Sequence, residues 1–104
     1  MKHSITTQDF KKILFNSKSL LVRDLLFYYQ EYKPGISFIV SKKLGNAVLR
    51  NKFKRRCRML FFQKNKEYDK TLQIIVPPKK KLENNYSWDE LTSTFDEFYI
   101  KLEQ

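Results

Sequence analysis

Apolar residues recur every three or four positions in the middle of the chain, which is the period of one face of a helix. This helix is predicted to begin after Asn46, a preferred N-cap residue, and to run to about Lys64. Its apolar stripe consists of Leu49, Phe53, Cys57, Leu60 and Phe61. Because the only cysteine lies in this stripe, we expect a small buried core residue in a reducing compartment.

The same period predicts a helix near the C-terminus. Ser87 is expected to cap a helix that begins at Trp88, and Glu90 at the third helical position would complete a capping box. The apolar stripe of this helix is Leu91, Phe95, Phe98 and Leu102. Its other face carries Asp89, Glu90, Asp96 and Glu97. An acidic face of this kind should lie away from any nucleic acid.

Three other segments have the composition of β-strands. Residues 20–32 are aliphatic and aromatic and predict one strand, which ends at the turn of residues 33–35. Because Pro34-Gly35 is a tight connection, the next strand, residues 36–42, should pair antiparallel with the first. Residues 71–76 are apolar enough for a central buried strand that ends at Pro77-Pro78.

Alternate residues of the second strand point to opposite faces of the sheet. Ile36, Phe38 and Val40 should face the helices, and Ser37, Ile39 and Ser41 should face away. The second set leaves a shallow face that a nucleotide strand could approach. Tyr28 would stack on bases if its ring pointed to that face. Packing of Tyr28 or Tyr29 in the core is the alternative, and the residues alone favour neither.

With a short helix at residues 5–15, suggested by the spacing of Phe10, Ile13 and Leu14, the element order is helix, strand, strand, helix, strand, helix. This order predicts an α+β fold, a two-layer sandwich with helices packed on a small mixed sheet. A chain of 104 residues with 41% hydrophobic residues fits one folded domain, residues 1–104.

The charge of the chain is large and localised. The formal net charge is +10, and residues 32–66 contain eleven basic residues and no acid. Solvated helices usually include Glu at i±4, whereas here like charges repel at that spacing. This pattern favours a nucleic-acid partner over a plain solvated face. A membrane-surface role fits less well, because the apolar face is needed for the core, and no apolar run is long enough to span a bilayer. We therefore expect a cytoplasmic protein.

Two ordered motifs make this interpretation more specific. Residues 41–48 read SKKLGNAV, and residues 50–58 read RNKFKRRCR. They resemble the SKK-x-GNAV turn and the RNR-x-KR-x-x-R helix of the protein subunit of bacterial ribonuclease P. One position departs from the family pattern, since Lys52 replaces the second Arg of RNR. Lysine keeps the charge but loses the planar fork of the guanidinium.

The resemblance implies a function and a fold detail. In that family the RNA subunit performs the metal-dependent cleavage, and the protein binds this RNA and the 5′ leader of precursor tRNA. The expected partners are therefore a ribonuclease P RNA and precursor tRNA, with a protein that is monomeric without RNA. Mg²⁺ is expected to be required by the RNA–protein holoenzyme, with no cofactor bound by the protein alone. The family also has a left-handed β-α-β crossover through the basic helix.

The resemblance also implies two sets of binding residues. The leader groove would comprise Phe10, Tyr28, Arg50, Asn51 and Lys54. The basic face would comprise Lys42, Lys43, Asn46, Lys52, Arg55, Arg56 and Arg58. The family has a second aromatic residue one turn after Phe10, where this chain has Leu14, so either Leu14 or the neighbouring Phe15 takes that place.

The residues themselves provide no evident protein active site. The chain has one histidine, His3, two glycines and no Cys/His cluster with metal-ligand spacing. A stand-alone nuclease, which needs an acid/base pair or clustered carboxylates, is therefore disfavoured. A ribosomal or ribosome-assembly RNA-binding protein would show the same charge pattern and is the main alternative. The lysines of residues 79–81 should lie in an exposed loop and be solvated rather than specific.

Overall fold

The computed structural model describes residues 17–31, 33–68 and 71–103. The helix predicted at residues 5–15, with Phe10, lies outside the described residues. The described elements are β1 (Lys18–Val22), β2 (Leu25–Glu31), β3 (Gly35–Phe38), α1 (Ala47–Asn65), β4 (Leu72–Val76) and α2 (Trp88–Leu102). A 3-10 turn, Lys42–Leu44, precedes α1.

The four strands form one mixed sheet in the order β1-β2-β4-β3. The β1–β2 and β2–β4 pairs are antiparallel, and β3 pairs with β4 in parallel. Both helices pack on one face of this sheet, so the predicted α+β two-layer sandwich is confirmed. Because β3 and β4 are parallel neighbours joined through α1, the β-α-β unit implied by the resemblance is present.

The single strand predicted at residues 20–32 is wrong, because two strands occupy this region. Arg23 and Asp24 form a two-residue turn between β1 and β2, closed by the Val22–Leu25 pair, and Arg23 has a φ of 55°. Arg23 Nε lies 3.2 Å from Glu97 Oε2 in α2, and Asp24 pairs with Lys80. A charged pair inside an apolar run was the local signal for this turn, and long-range ion pairs hold it.

The predicted antiparallel pairing of the strand after Pro34-Gly35 is also wrong. β3 covers only Gly35–Phe38, and it pairs in parallel with β4, for example Ile36 with Ile74. Every residue of β4 is buried, as predicted for a central strand. The most apolar strand therefore takes the centre of the sheet, between β2 and β3. A tight turn reverses the chain without determining which strand becomes its neighbour.

Aromatic rings fill the core between the sheet and the helices. The Phe27 ring of β2 stacks on Phe98 of α2 at 4.1 Å and meets Phe95 edge-on at 5.3 Å. On α1, Phe53, Cys57, Leu60 and Phe61 are buried and Leu49 packs against them, which confirms the predicted stripe. Burial raises the pKa of the Cys57 thiol well above its usual range. The three helix-facing residues of the segment after Pro34 are also confirmed, with Ile36 buried and Phe38 and Val40 packed on the core.

Candidate nucleic-acid interface

Two side chains shape the turn that leads into the basic helix. Ser41 Oγ accepts a hydrogen bond from the Lys43 backbone N–H at 3.2 Å. Asn46 Oδ1 accepts one from the Leu49 N–H at 2.9 Å, so Asn46 is the N-cap, as predicted. The Asn46 oxygen is thus already used within the fold, and only its amide nitrogen could donate to RNA. Lys42 and Lys43 are exposed beside this cap.

The turn packs closely against the segment that precedes α2. A Cβ atom at Gly45 would lie 3.2 Å from Leu49 Cδ1 and 3.4 Å from Leu82 Cβ, so the space suits glycine. The Leu82 N–H also donates to the Leu44 carbonyl at 2.8 Å. Residues 82–87, which we name the 82–87 loop, are therefore attached to the N-terminal end of α1.

Most cations of α1 are left without ionic partners inside the described fold. From Arg50 to Arg58, no lysine or arginine makes an ion pair with a described residue. Among the described residues, Lys64 near the end of α1 is the one cation of this helix that pairs with an acid, Asp96 of α2. Like charges four residues apart cost about 0.2–0.5 kcal/mol each, and no ion pair with a described residue offsets this repulsion. A polyanion would remove it.

One flank of α1 lies along the edge strand β3. The Arg58 guanidinium lies over the Phe38 ring, 5.4 Å from its centroid. Arg50 and Lys54 precede Arg58 by eight and four residues, so they share its side of the helix. Arg50 Nε is buried and has no hydrogen-bond acceptor among the described residues. We name Arg50, Lys54 and Arg58 the edge flank.

Tyr28 lies on the sheet face opposite the helices. Its neighbour Tyr29 packs edge-on against Phe98 at 5.6 Å, on the helix side. Strand alternation therefore directs Tyr28 to the other face, where it is half-buried. The strand register places it in one row across the sheet with Ser19, Ile75 and Ser37. Packing in the helical core is thus the role of Tyr29, and base stacking by Tyr28 stays a prediction.

Of the predicted leader groove, Arg50, Asn51 and Lys54 lie on one helix, whereas Tyr28 lies on the sheet face away from that helix. Two strand spacings, about 9.6 Å, separate Tyr28 from Ser37 on the edge strand. The edge flank of α1 lies beside that strand, with Arg50 and Lys54 half-buried, and Asn51 on the same helix is exposed. Phe10 lies outside the described residues.

The other members of the basic face are distributed around α1. Arg55 is exposed on its outer surface. Lys52 and Arg56 lie on the opposite side from the edge flank, where they line a cavity of about 370 Å³ against the 82–87 loop. Sequence reasoning did not place this loop beside Lys52 and Arg56. The only local signal was the Asn84-Asn85 pair after the lysines of residues 79–81, which are exposed as predicted.

No described helix is long and apolar enough to cross a membrane. Across residues 17–31, 33–68 and 71–103, no group of three or more His, Cys, Asp or Glu side chains is placed to hold a metal ion.

Comparison with known proteins gives consistent results. A family model described as Ribonuclease P matches residues 3–103. A ribonuclease P protein component of Macrococcus caseolyticus is 37% identical over 86 residues, which are 75% of this chain and 73% of that protein. The structure of Staphylococcus aureus RNase P protein matches with a TM-score of 0.77 and 28% identity, covering 100% of this chain and 97% of that one. The RNase P protein from Thermotoga maritima, at 22% identity, has the same fold, with a TM-score of 0.79 over 96% of this chain and 97% of that one.

Proposed function

The chain belongs to the ribonuclease P protein family, and on that premise we propose that it binds a ribonuclease P RNA subunit together with the 5′ leader of precursor tRNA. In this proposal the RNA subunit cleaves the leader with Mg²⁺, and the protein supplies binding surfaces only. The protein is a monomer before it meets RNA, and it acts in the cytoplasm.

The edge flank is the observation that carries this proposal. Arg50, Lys54 and Arg58 have no ion pairs with described residues, and they border the edge strand of a sheet whose opposite face carries the half-buried Tyr28. A row of cations at the sheet edge and an aromatic ring on the sheet suit a single RNA strand, since phosphates would meet the cations and an unpaired base would meet the ring. A duplex could use the cations but not the ring, because its bases are already stacked.

Four carboxylates of the described fold are held by contacts within the chain, which supports a binding role for the protein. Asp24, Asp96 and Glu97 each pair with a cation of the same chain. Glu90 accepts a hydrogen bond from Ser87 Oγ at the start of α2. Side chains held in this way contribute to folding, and they are not gathered around one point where a metal or a substrate would sit.

Reconstitution tests the proposal directly. Purified protein freed of RNA should not cleave precursor tRNA, whereas protein added to a bacterial ribonuclease P RNA at low Mg²⁺ should increase 5′ maturation. The proposal would be wrong if the protein did not bind that RNA, or if it cleaved precursor tRNA without it.

Leader recognition needs a separate test. Tyr28→Ala should weaken holoenzyme binding of precursor tRNA about tenfold or more, because one stacked base contributes about 1–3 kcal/mol. Binding of mature tRNA, which has no leader, should hardly change. Phe10→Ala should act in the same direction. The matched control is Tyr28→Phe, which keeps the ring and should keep the wild-type ratio of precursor to mature affinity.

If the Tyr28→Ala protein folds and keeps the wild-type ratio of precursor to mature tRNA affinity, the proposed leader binding is wrong. The chain would then behave as an RNA-binding protein that recognises one folded RNA, as a ribosomal or assembly protein does. Circular dichroism and thermal melting of each variant must accompany the binding data, because a lost packing contact would imitate lost stacking.

A further inference from the structure

The cavity beside the 82–87 loop has an apolar lining and a polar rim. Its volume of about 370 Å³ lies within the range of roughly 300–1,000 Å³ that is common for small-ligand sites. The apolar lining consists of Leu49, Phe53, Leu82 and Tyr86. Lys52, Arg56 and Asn84 contribute to the rim. This combination suits a ligand that is flat and apolar at one end and anionic at the other.

The loop that forms one wall is held in a specific conformation. Tyr86 has a φ of 57°, which is unusual for a bulky residue, and Asn84 has a φ of 63°. The Tyr86 hydroxyl accepts hydrogen bonds from the N–H groups of Lys79 and Lys80 at 3.3 and 3.1 Å. The Tyr86 ring also meets Phe53 edge-on at 5.3 Å. Because these contacts fix Tyr86, the apolar lining is formed before any ligand arrives.

Further hydrogen bonds stabilise the loop without using its exposed amide. The Asn85 side chain donates to the Lys81 carbonyl at 2.7 Å, so this amide serves the loop itself. Asn84 is exposed and makes no hydrogen bond with a described residue. Its carboxamide therefore has both a donor and an acceptor available at the rim, as recognition of a base edge requires.

The rim carries positive charge on the helix side. Lys52 and Arg56 are four residues apart on α1, and neither makes an ion pair with a described residue. A single phosphate between them would replace repulsion with attraction. A neighbouring depression, which shares Leu49 and Glu83 with the cavity, is lined by the three exposed lysines Lys42, Lys43 and Lys81. The cationic surface thus continues from the cavity, and a polynucleotide could follow it.

We propose that this cavity, the loop-side pocket, binds one unpaired nucleotide of the ribonuclease P RNA subunit. The base would lie against the apolar lining with its edge at Asn84, and the phosphate would lie between Lys52 and Arg56. This inference rests on the proposed function, since it assumes an RNA subunit as partner. It adds a specific pocket and the kind of RNA feature that the pocket recognises.

The position of the pocket favours the RNA subunit over the leader. The edge flank and the loop-side pocket lie on opposite sides of α1. A helix with its side chains is about 10–12 Å across, so a strand that follows the edge flank and the sheet edge would have to wrap around α1 to enter the pocket. Two RNA segments, one on each side of the helix, avoid that path.

The first experiment measures equilibrium binding to a bacterial ribonuclease P RNA over a series of salt concentrations. Lys52→Gln with Arg56→Gln should weaken binding about tenfold or more and lower the slope of log K against log salt by about one to two units. The matched control is Lys101→Gln, an exposed lysine of α2, which should change neither quantity.

Two single substitutions distinguish the contribution of phosphate contacts to binding from that of base contacts. Glu83 lies on the same rim, where its negative charge would repel a phosphate. Glu83→Gln should therefore tighten RNA binding a few-fold. Glycine adopts a φ of 63° without strain, so Asn84→Gly removes the side-chain amide and keeps the backbone. It should weaken RNA binding a few-fold and leave the slope of log K against log salt unchanged. A purely structural loop would not produce a gain from one change and a salt-independent loss from the other.

The second experiment identifies the RNA that enters the pocket. The native cysteine, Cys57, is fully buried, so Glu83→Cys provides one accessible thiol for an aryl azide photo-crosslinker. In holoenzyme with precursor tRNA, crosslinks should map to unpaired nucleotides of the RNA subunit. The same label on Glu103→Cys, at the end of α2, should give few crosslinks.

The outcomes distinguish this inference from the proposed function. If the protein does not bind ribonuclease P RNA at all, the proposed function fails and the inference fails with it. If the protein binds this RNA and increases cleavage, but the pocket variants bind like wild type, the inference alone is wrong. Crosslinks that map only to the tRNA leader, or only to paired nucleotides, would also overturn it.

Discussion

The two helices pack side by side on one sheet, yet they use charge in opposite ways. α1 contains seven basic residues and no acid, and α2 contains four acids and one lysine. Both begin at a side chain that accepts a backbone N–H, Asn46 for α1 and Ser87 for α2. Both bury an apolar stripe on the same face of the sheet. The two helices therefore share their capping and their buried stripes, and they differ in the sign of the charge at their surfaces.

The difference shows which charges serve the fold. In α2, Asp96 and Glu97 pair with Lys64 and Arg23, and Asp89 and Glu90 lie in the first turn, where the helix dipole favours negative charge. In α1 the first turn has no acid, and the cations from Arg50 to Arg58 repel one another at i, i+4. The charge of α2 therefore stabilises the folded chain, whereas the charge of α1 suits an anionic partner.

The largest expected effect is on folding stability, to which the buried apolar stripes of both helices contribute. Phe61 of α1 and Phe98 of α2 are both fully buried. Phe61→Ala and Phe98→Ala should each lower the free energy of unfolding by about 3–5 kcal/mol, through lost burial and a cavity. Urea unfolding measures this, with Ile100→Ala as the control, since Ile100 is 57% exposed and should change stability by less than about 0.5 kcal/mol. A large loss from only one of the two would mean that the stripes are not equivalent.

The next effect is a pH dependence that both helices should show. Burial raises the pKa of the Cys57 thiol in α1, and burial with the nearby Tyr68 raises the pKa of the Tyr99 phenol in α2. In the unfolded chain the thiol ionises at about pH 8.5, whereas in the folded chain it stays protonated. The free energy of unfolding therefore keeps its full value below that pH and falls above it. The loss from Cys57 should approach about 2 kcal/mol at pH 10, and that from Tyr99 begins near its ordinary pKa of about 10.

Denaturant titrations between pH 7.5 and 10.5 measure this dependence. Cys57→Ala should flatten the fall between about pH 8.5 and 10, and Tyr99→Phe should reduce the part that begins near pH 10. Equal pH profiles for wild type and Cys57→Ala would show that the thiol is not buried as described.

The helix caps should contribute about equally to stability but not to RNA binding. Asn46→Ala and Ser87→Ala should each cost about 1 kcal/mol of folding stability, since each leaves a helix N–H without its acceptor. Asn46→Asp keeps the acceptor and adds a charge that the helix dipole favours, so it should fold as well as wild type. The same negative charge beside Lys42 and Lys43 should weaken binding to ribonuclease P RNA. If Asn46→Asp bound RNA normally, this end of α1 would lie outside the interface.

The smallest effect on stability tests the charge contrast itself. Lys54 repels both Arg50 and Arg58 at i±4, so Lys54→Gln should raise the free energy of unfolding by a few tenths of a kcal/mol. It should also lower the salt slope of RNA binding by about one unit. Glu97→Gln, which removes the pair with Arg23, should lower stability by about 0–1 kcal/mol and leave the salt slope unchanged. A loss of stability from Lys54→Gln would contradict the division of roles between the helices.

Local features of the chain were predictable because neighbouring residues determine them. The extent of α1, its Asn46 cap, its buried stripe and the Ser87 cap all follow from period and capping chemistry within a few residues. The burial of residues 72–76 follows from their composition. The cationic character of α1 required only a count of charges.

The same reasoning could list binding residues but could not assign them to sides of the molecule. A helical wheel separates Lys52 and Arg56 from the edge flank, yet it does not say which side meets β3 and which meets the 82–87 loop. Tyr28 and Tyr29 are adjacent and chemically identical, and only the strand register distinguishes the ring on the face away from the helices from the ring in the core.

By itself, the sequence determined the helices, their caps, the buried residues and the concentration of positive charge on α1. The tertiary structure decided that β4 lies between β2 and β3, that Arg23-Asp24 divides one apolar run into two strands, and that the 82–87 loop forms a pocket with Lys52 and Arg56. The physical reason is distance along the chain. Caps and periodicity act between residues a few positions apart, whereas strand pairing, ion pairs such as Arg23–Glu97 and the walls of a cavity join residues that are far apart in sequence and meet only after folding.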